Sequence, residues 1–495
     1  MTTTDKPNVL VLMADQFRWD AIAAHGDPAI YTPNLDRLVR SGVSFRNCYT
    51  ETPVCVPARA TMLTGRLGHQ TGVLDNQDSL DPCSETFAKA LSQAGYRTQA
   101  IGKMHFSPPR QHHGLDQMLL SEEIPESPQD DDYLTYLLEG GYGHVKEPHG
   151  IRHELYYQPQ VSQLPPDRHT TAWTGRQTVE FLRERKSEPE PWLCWTSFIK
   201  PHPPFDPPSN WYDRYDPLEM RDPKRAEPEL NRLERNVRLQ HRFKWTSPDI
   251  PTTLIRTMRA YYYASVSFVD HWIGAILDEL ESSGERSNTL IVFTADHGEY
   301  LGDHWAYGKR GFHDSAAKVP MVLSRPGTLP ESTEVNSMTG LANLSSTILE
   351  TAGLPSLGGS SDSLLSAARS DAAASTEPWI GLFGHGDRSI YAAMDGTVKY
   401  TYSAGDDREA IYAMDRDEGD LTALLPTDPL FGRGEKLGTG LRERLRTEGF
   451  SQALQDDGGW HPYPPTEDFD SPGDDRSVDG RGRQYAIWQQ AFDIC

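Results

Sequence analysis

Long apolar runs and amphipathic stretches alternate along the first two thirds of the chain. Residues 9–13 form a continuous apolar run, Val-Leu-Val-Leu-Met, which is the pattern of a strand buried on both faces of a parallel sheet. Similar runs occupy 192–198 and 288–294, and segments with helical spacing separate them. Because strands and helices alternate from residue 8 to about 352, the pattern predicts an α/β fold with a large mixed, mostly parallel sheet flanked by helices.

The remaining elements follow from the same spacing rules. Helices are predicted where apolar residues recur at helical spacing before a glycine or polar stop: 32–40, 84–94, 253–281 and 335–352. Further strands are predicted at 43–48, 96–101 and 319–324. Residues 107–190 and 207–250 show weaker periodicity and many Pro, His and acidic residues. Such excursions either line a substrate cleft or decorate the surface, and the sequence leaves both interpretations open.

The pattern changes after a small, polar stretch at 357–376, which is typical of a linker. Asp395-Gly396 lies between two β-rich runs, 389–394 and 397–403, and predicts a hairpin. A third strand at 409–414 and a helix near 440–455 complete a small antiparallel unit. The sequence therefore predicts a catalytic α/β domain over 1–376 and a C-terminal antiparallel α+β subdomain with an irregular tail over 377–495.

Charge and cysteine content restrict the function. The 495 residues carry 48 basic and 71 acidic side chains, a net charge of −23, which disfavours nucleic acid and anionic membranes as partners. The chain has five cysteines, and their spacing is not that of a disulfide framework: Cys48, Cys55, Cys83, Cys194 and Cys495. This predicts free thiols in a reducing compartment. No signal-peptide pattern and no membrane-length apolar run is present, so the expected location is cytoplasmic.

Polar, titratable residues follow four of the predicted strands. Carboxyl ends of parallel strands share one edge of a sheet, so these side chains are expected to converge. Oxygen donors with one imidazole suit a hard divalent cation such as Ca²⁺, Mg²⁺ or Mn²⁺. Taken singly, each residue also fits a cap, a loop contact or a core histidine. The residues are Asp15 and Gln16, Lys103 and His105, His202, and Asp296 and His297.

The segment Cys55-Val56-Pro57-Ala58-Arg59 is the most distinctive in the chain. Pro57 suits the first turn of a helix, so Cys55 is predicted to lie just ahead of a helix N-terminus, where free N–H groups favour an anion. Arg59, expected within the first turn, adds a fixed charge with bidentate donors. A reactive side chain and an oxyanion site are therefore placed together.

Cys55-Val-Pro-Ala-Arg59 with Thr64-Gly65-Arg66 resembles the C-x-P-x-R…T-G-R motif of the type I sulfatases, which belong to the alkaline-phosphatase-like superfamily. Further segments match in the family's order and extend the resemblance over most of 7–425. They are Pro-Asn-Val-Leu-Val-Leu at 7–12, Thr-Pro-Asn-Leu-Asp-Arg-Leu at 32–38, Gly-Lys-Met-His at 102–105, Pro-His-Pro-Pro at 201–204, Thr-Ala-Asp-His-Gly at 294–298, and the C-terminal hairpin.

The resemblance implies hydrolysis of a sulfate ester by a formylglycine that a maturase makes from Cys55, with the hydrate as nucleophile. It implies that Arg59 stabilises the hydrate and that Lys103, His105, His202 and Lys309 bind sulfate oxygens or transfer protons, with Asn76 also at the site. It further implies one divalent metal ion, Ca²⁺ or Mn²⁺, whose ligands are Asp15, Gln16, the modified Cys55, Asp296 and His297.

Two departures from the sulfatase pattern keep an alternative open. Gln16 stands where many sulfatases have a second Asp, and His297 stands where many have Asn. Both variants resemble phosphonate monoester hydrolases and some bacterial sulfatases, and they make Mn²⁺ a plausible alternative to Ca²⁺. Lys103 and His105 resemble the sulfatase pattern, so we favour sulfate esters over phosphonate monoesters or phosphodiesters.

A third hypothesis is a non-catalytic relative that binds metal or anion. The substrate class is a small-molecule or saccharide sulfate ester whose alcohol (sugar, aryl, choline or alkyl) the sequence does not identify. A monomer and a homo-oligomer both remain open.

Overall fold

The computed structural model describes residues 6–125, 127–152, 156–186, 188–226, 233–244, 250–359, 362–369, 377–416 and 420–464. Its centre is an eight-stranded sheet with the strand order β4-β3-β5-β1-β6-β7-β2-β8. Every pairing is parallel except that β7 runs antiparallel to β6 and β2, which confirms the mixed, mostly parallel α/β fold. The strands are β1 Asn8–Ala14, β2 Val43–Tyr49, β3 Arg97–Gly102, β4 Gln117–Leu120, β5 Trp192–Phe198, β6 Thr289–Thr294, β7 Met321–Ser324 and β8 Thr333–Gly340.

The central strand β1 is buried along its whole length, as its apolar run predicts. Val11 lies in register between Trp195 on β5 and Val292 on β6, so both edges of the strand are hydrogen-bonded. Side chains alternate between the two faces of a strand, and an apolar residue at nearly every position therefore requires a helical layer on each side.

Two groups of helices provide those layers. Helix α8 (Thr252–Ser282) contacts both α1 (Pro33–Arg40) and α6 (Thr170–Arg185). Helices α2 (Cys55–Thr64), α4 (Phe87–Gln93) and α10 (Asn343–Thr351) contact one another. Helices from both groups contact β3, so the sheet lies between them. The other helices are α3 Gly68–Thr71, α5 Asp132–Glu139, α7 Arg235–Lys244, α9 Asp314–Ala317, α11 Leu364–Arg369 and α12 Phe431–Thr447.

A second, four-stranded antiparallel sheet follows in the C-terminal region, in the order β12-β11-β10-β9. The hairpin is confirmed: Asp395 accepts from the N–H groups of Thr397 and Val398 through its side chain, at 2.9 and 3.0 Å. One face of this sheet contacts α12, and the other contacts Tyr49 and Phe312 of the main domain. Its strands are β9 Trp379–Phe383, β10 Ile390–Met394, β11 Val398–Ser403 and β12 Arg408–Ala413.

Two helix predictions fail in part. The predicted helix 335–352 is the strand β8 followed by α10, because apolar residues at 335, 338, 341, 344 and 348 imitate helical spacing across the boundary. Helix α12 begins nine residues before the predicted position 440. Its early turns contain Gly434 and Gly438, where a Cβ would meet Ile411 at 2.4 Å and Tyr400 at 2.5 Å. Glycine has a low helix propensity, so the sequence does not indicate a helix here. Both glycines are required by the close contact between α12 and the sheet.

The weakly periodic excursions contain regular elements, β4, α5 and α6 in the first and α7 in the second. Helix α11 lies within the predicted linker, whereas 370–376, around the proposed boundary, and most of the tail lie outside the described residues. The division at residue 376 therefore stays a prediction. None of the described helices combines the length and the hydropathy that a membrane span requires.

Gly102 ends β3 immediately before Lys103, and its backbone conformation predicts how a substitution there changes the stability of the protein. It has φ +96°, and a Cβ there would lie 2.1 Å from the Ser197 carbonyl oxygen. We expect Gly102→Ala to lower the free energy of unfolding by about 3 kcal/mol, from left-handed strain and a clash with backbone. Gly95→Ala is the matched control, because Gly95 has φ +86° but open space around its Cβ. That variant should cost about 1 kcal/mol in denaturant unfolding, and equal losses would contradict the clash.

Candidate active site

The polar strand ends predicted to converge lie at one edge of the sheet. Asp15 follows β1, Lys103 follows β3, and Asp296 follows β6. Backbone hydrogen bonds continue the ladder for one residue beyond the strands: Asp15 N–H donates to Phe198 O, and Lys103 N–H donates to Ser197 O, both at 2.9 Å. The sheet therefore fixes these side chains through its own hydrogen bonds.

Cys55 is the first residue of α2 rather than the residue ahead of it. Arg59 consequently lies one turn inside the helix, where the prediction had it in the first turn. All ten residues of α2 are buried, and Cys55 is only 1% exposed. Asn76 Oδ1 accepts a hydrogen bond from the Val56 N–H at 3.1 Å, so Asn76 satisfies a free donor at the start of this helix.

Four buried side chains form a group that fits a metal ion. The donor atoms of Asp15, Cys55, Asp296 and His297 all lie within 4.8 Å of one another. His297 Nδ1 lies 3.0 Å from the Gly298 carbonyl oxygen, so Nδ1 carries a hydrogen, and Nε2 lies 3.2 Å from Cys55 Sγ. Two carboxylates and one imidazole are a donor set that divalent cations accept, and the fourth position belongs to Cys55 or its modified form.

Gln16 lies beside this group in a left-handed backbone conformation, φ +61°. Its N–H donates to Asp296 Oδ1 at 3.1 Å, and its side-chain Nε2 donates to Glu299. Its Oε1 accepts from Lys309 Nζ at 2.8 Å. The amide oxygen is thus held by a lysine, and its predicted role as a metal ligand stays a prediction.

Arg59 and Lys103 neutralise the two carboxylates of the group. Arg59 Nη2 lies 3.0 Å from Oδ2 of both Asp15 and Asp296, and Lys103 Nζ lies 2.7 Å from Asp15 Oδ2. Burial alone would lower the pKa of Lys103, but the charges of Asp15, Cys55 and Glu123 outweigh burial and raise its pKa well above its usual range. Both cations therefore stay charged inside a site that excludes water.

Cys55 is surrounded by positive charge. Its Sγ lies 3.4 Å from Lys309 Nζ and 3.8 Å from Lys103 Nζ. Burial would raise the pKa of the thiol, yet the charges of Lys103, Lys309 and His297 outweigh burial and hold the pKa well below its usual range. The surrounding charges therefore stabilise negative charge on the atom bonded to Cβ of residue 55, both on the sulfur of a cysteine and on an oxygen that replaces it.

Lys309 and His202 form the outer part of the site. Lys309 Nζ lies 2.9 Å from His202 Nε2, and His202 Nδ1 lies 2.7 Å from the Pro203 carbonyl oxygen. Burial, with smaller effects of the surrounding charges, lowers the pKa of His202 to about 4. In this state His202 is neutral and Lys309 carries the proton between them.

His105 is half-buried and has φ +56°. Its backbone N–H donates to Glu122 Oε1 at 2.9 Å, and its side chain contributes to the lowered pKa of Cys55. The structure therefore brings Asp15, Gln16, Cys55, Arg59, Asn76, Lys103, His105, His202, Asp296, His297 and Lys309 into one region around Cys55.

The sequence interpretation missed several residues of the site. Glu123 binds Lys103 Nζ at 2.6 Å and lies 3.3 Å from His202 Nε2, and Arg152 pairs with its other oxygen. Both acids of the pair Glu122-Glu123 are buried, so solvation of the surface does not explain them. They lie just beyond the carboxyl end of β4, and the rule that found the other strand ends would have found them had this four-residue strand been recognised.

The Sulfatase family model matches residues 7–354. The chain belongs to the sulfatase family. It is 31% identical over 357 residues to an arylsulfatase of Clostridium perfringens, a match that covers 66% of this chain and 69% of that protein. It is 29% identical over 338 residues to a choline-sulfatase of Rhizobium meliloti, covering 66% of this chain and 64% of that protein.

Solved structures agree with this assignment at the level of the fold. The phosphonate monoester hydrolase of Agrobacterium radiobacter superposes with a TM-score of 0.76 at 24% identity, over 90% of this chain and 96% of that one. The sulfatase assignment confirms the predicted alkaline-phosphatase-like architecture and the predicted enzyme class, a sulfuric ester hydrolase.

Proposed function

We propose that this sulfatase hydrolyses a small-molecule or saccharide sulfate ester to the alcohol and inorganic sulfate at Cys55. The observation that carries the proposal is the convergence on Cys55 of three further metal-compatible donors, Asp15, Asp296 and His297, and of the lysines Lys103 and Lys309. Anionic esters need such a local positive focus because the chain as a whole carries a charge of −23.

Asp15, Asp296 and His297, together with the modified Cys55 and with Gln16 as a further candidate, would hold one Ca²⁺ or Mn²⁺. Bound there, the ion would neutralise charge on the sulfate and lower the pKa of the attacking hydroxyl. Arg59 keeps both carboxylates aligned through its paired contacts, so the donor set is rigid before any ligand arrives.

Formylglycine, produced from Cys55 by a formylglycine-generating maturase, would supply as its hydrate the oxygen nucleophile and a second hydroxyl through which the sulfate leaves. A thiol offers no such route, which is the chemical reason for expecting the modification. Lys103 and Lys309 flank this side chain and bind the sulfate oxygens, whose negative charge rises as the S–O bond breaks.

The leaving alcohol needs a proton, and the pair Lys309 and His202 supplies it. Lys309 donates to His202 Nε2 at 2.9 Å, so one proton is shared between two groups beside the nucleophile. His105, which follows β3, contributes a second imidazole. We assign these residues to proton transfer and Asn76 to holding the start of α2.

A phosphonate monoester or phosphodiester hydrolase is the second candidate, and Gln16 is the residue that favours it. The test compares kcat/KM for 4-nitrophenyl sulfate and 4-nitrophenyl phenylphosphonate, which share a leaving group and a single negative charge. We expect the sulfate ester to be at least about tenfold better, since a sulfatase stabilises that transition state preferentially. A higher value for the phosphonate ester would assign the chain to the second candidate.

A further inference from the structure

One carboxylate of the site has no place in the proposed chemistry. Glu123 is buried, accepts a hydrogen bond from Lys103 Nζ at 2.6 Å and lies 3.3 Å from His202 Nε2. Its second oxygen accepts from Arg152. Glu123 therefore lies next to two residues from different strand ends, Lys103 after β3 and His202 after β5.

Glu123 is a fixed negative charge. Burial would raise the pKa of its carboxyl, but the positive charges of Arg152 and Lys103 outweigh burial and hold that pKa well below its usual range. The ammonium group of Lys103 links this charge to Cys55, because Lys103 Nζ lies 2.6 Å from Glu123 Oε2 and 3.8 Å from Cys55 Sγ.

Lys103 is consequently shared between two carboxylates. It contacts Asp15 at 2.7 Å and Glu123 at 2.6 Å, so its positive charge is largely compensated before substrate binds. A sulfate ester brings one negative charge to this pocket, whereas a phosphate monoester brings about −1.5 to −2 at pH 7. In a buried site the additional charge is repelled strongly by a nearby carboxylate.

We propose that Glu123 makes the pocket selective for esters with a single negative charge and against phosphate monoesters, while it positions Lys103. The inference rests on the proposed function of the same site and names a specificity residue for it. Arg152 supports the role, because its pairing with the second oxygen fixes the orientation of the carboxylate.

The experiment measures kcat/KM for 4-nitrophenyl sulfate, 4-nitrophenyl phosphate and 4-nitrophenyl phenylphosphonate in the mature enzyme and in Glu123→Gln. We expect the ratio of sulfate to phosphate to fall at least about tenfold in the variant, because one repelling charge is removed. The ratio of sulfate to phenylphosphonate should stay within about threefold, because both esters carry one charge. Ratios cancel differences in the fraction of folded, modified enzyme.

Glu123→Asp is the matched variant that keeps the charge, and its ratio of sulfate to phosphate should stay close to that of the parent enzyme. Equal losses on all three esters in Glu123→Gln would reduce Glu123 to a structural residue and overturn the inference. A wild-type enzyme that prefers the phosphonate ester over the sulfate ester would instead overturn the proposed function, while the change in the ratio of sulfate to phosphate would still decide the role of Glu123.

Discussion

Replacing Cys55 by alanine lowers kcat/KM for an aryl sulfate by at least about 10⁴-fold, because no other group at the site can take over as nucleophile. Lys103, Lys309 and the metal donors would remain and could still bind sulfate, so binding of the product should persist. The loss therefore falls on kcat rather than on affinity. Steady-state kinetics, together with titration of inorganic sulfate, separate the two effects.

Cys83→Ala is the matched control for this substitution. Cys83 is an exposed free cysteine, and its removal should leave both activity and thermal stability unchanged. A Cys55→Ala enzyme that kept a tenth of the parent activity on any sulfate ester would show that another residue attacks the ester. The role assigned to the start of α2 would then be wrong.

Removing the metal with a chelator should lower the activity of the mature enzyme by about 10³-fold. A bound divalent cation stabilises the charge of the transition state by several kcal/mol. It should also lower the melting temperature, because ions that bind only the native state stabilise it. Asp15 and Asp296 would then face each other with Arg59 and Lys103 as their compensating charges.

Adding Ca²⁺ or Mn²⁺ back to the stripped enzyme identifies the ion. Full recovery with one of them and partial recovery with the other would assign it, and elemental analysis of the purified holoenzyme gives an independent value. Activity that survives chelation in protein shown to contain less than a tenth of an equivalent of metal would exclude a metal from the reaction.

The sequence predicts the centre of this protein well because both faces of its sheet are covered. Apolar runs such as 9–13 and 192–198 identify strands without ambiguity, and a parallel sheet places their polar ends at one edge. That argument alone brings Asp15, Lys103 and Asp296 together. The structure reproduces the convergence, whereas their individual roles stay predictions.

Short elements explain most of what the sequence could not reveal. β4 has four residues, too few for a periodic pattern, so the sequence does not distinguish Glu123, three residues beyond it, from the rest of the irregular excursion. The same limitation applies to β9, whose five residues complete the second sheet. The left-handed conformations of Gln16 and His105 are set by tertiary contacts, and no local rule predicts them.

The covalent state of Cys55 tests the central claim most directly. Trypsin releases residues 47–59 as one peptide that contains both Cys48 and Cys55. In enzyme produced with a maturase, we predict that fragmentation finds an aldehyde or its hydrate at Cys55, while Cys48 takes up a thiol-alkylating reagent. An active enzyme in which both cysteines are alkylated would contradict the account.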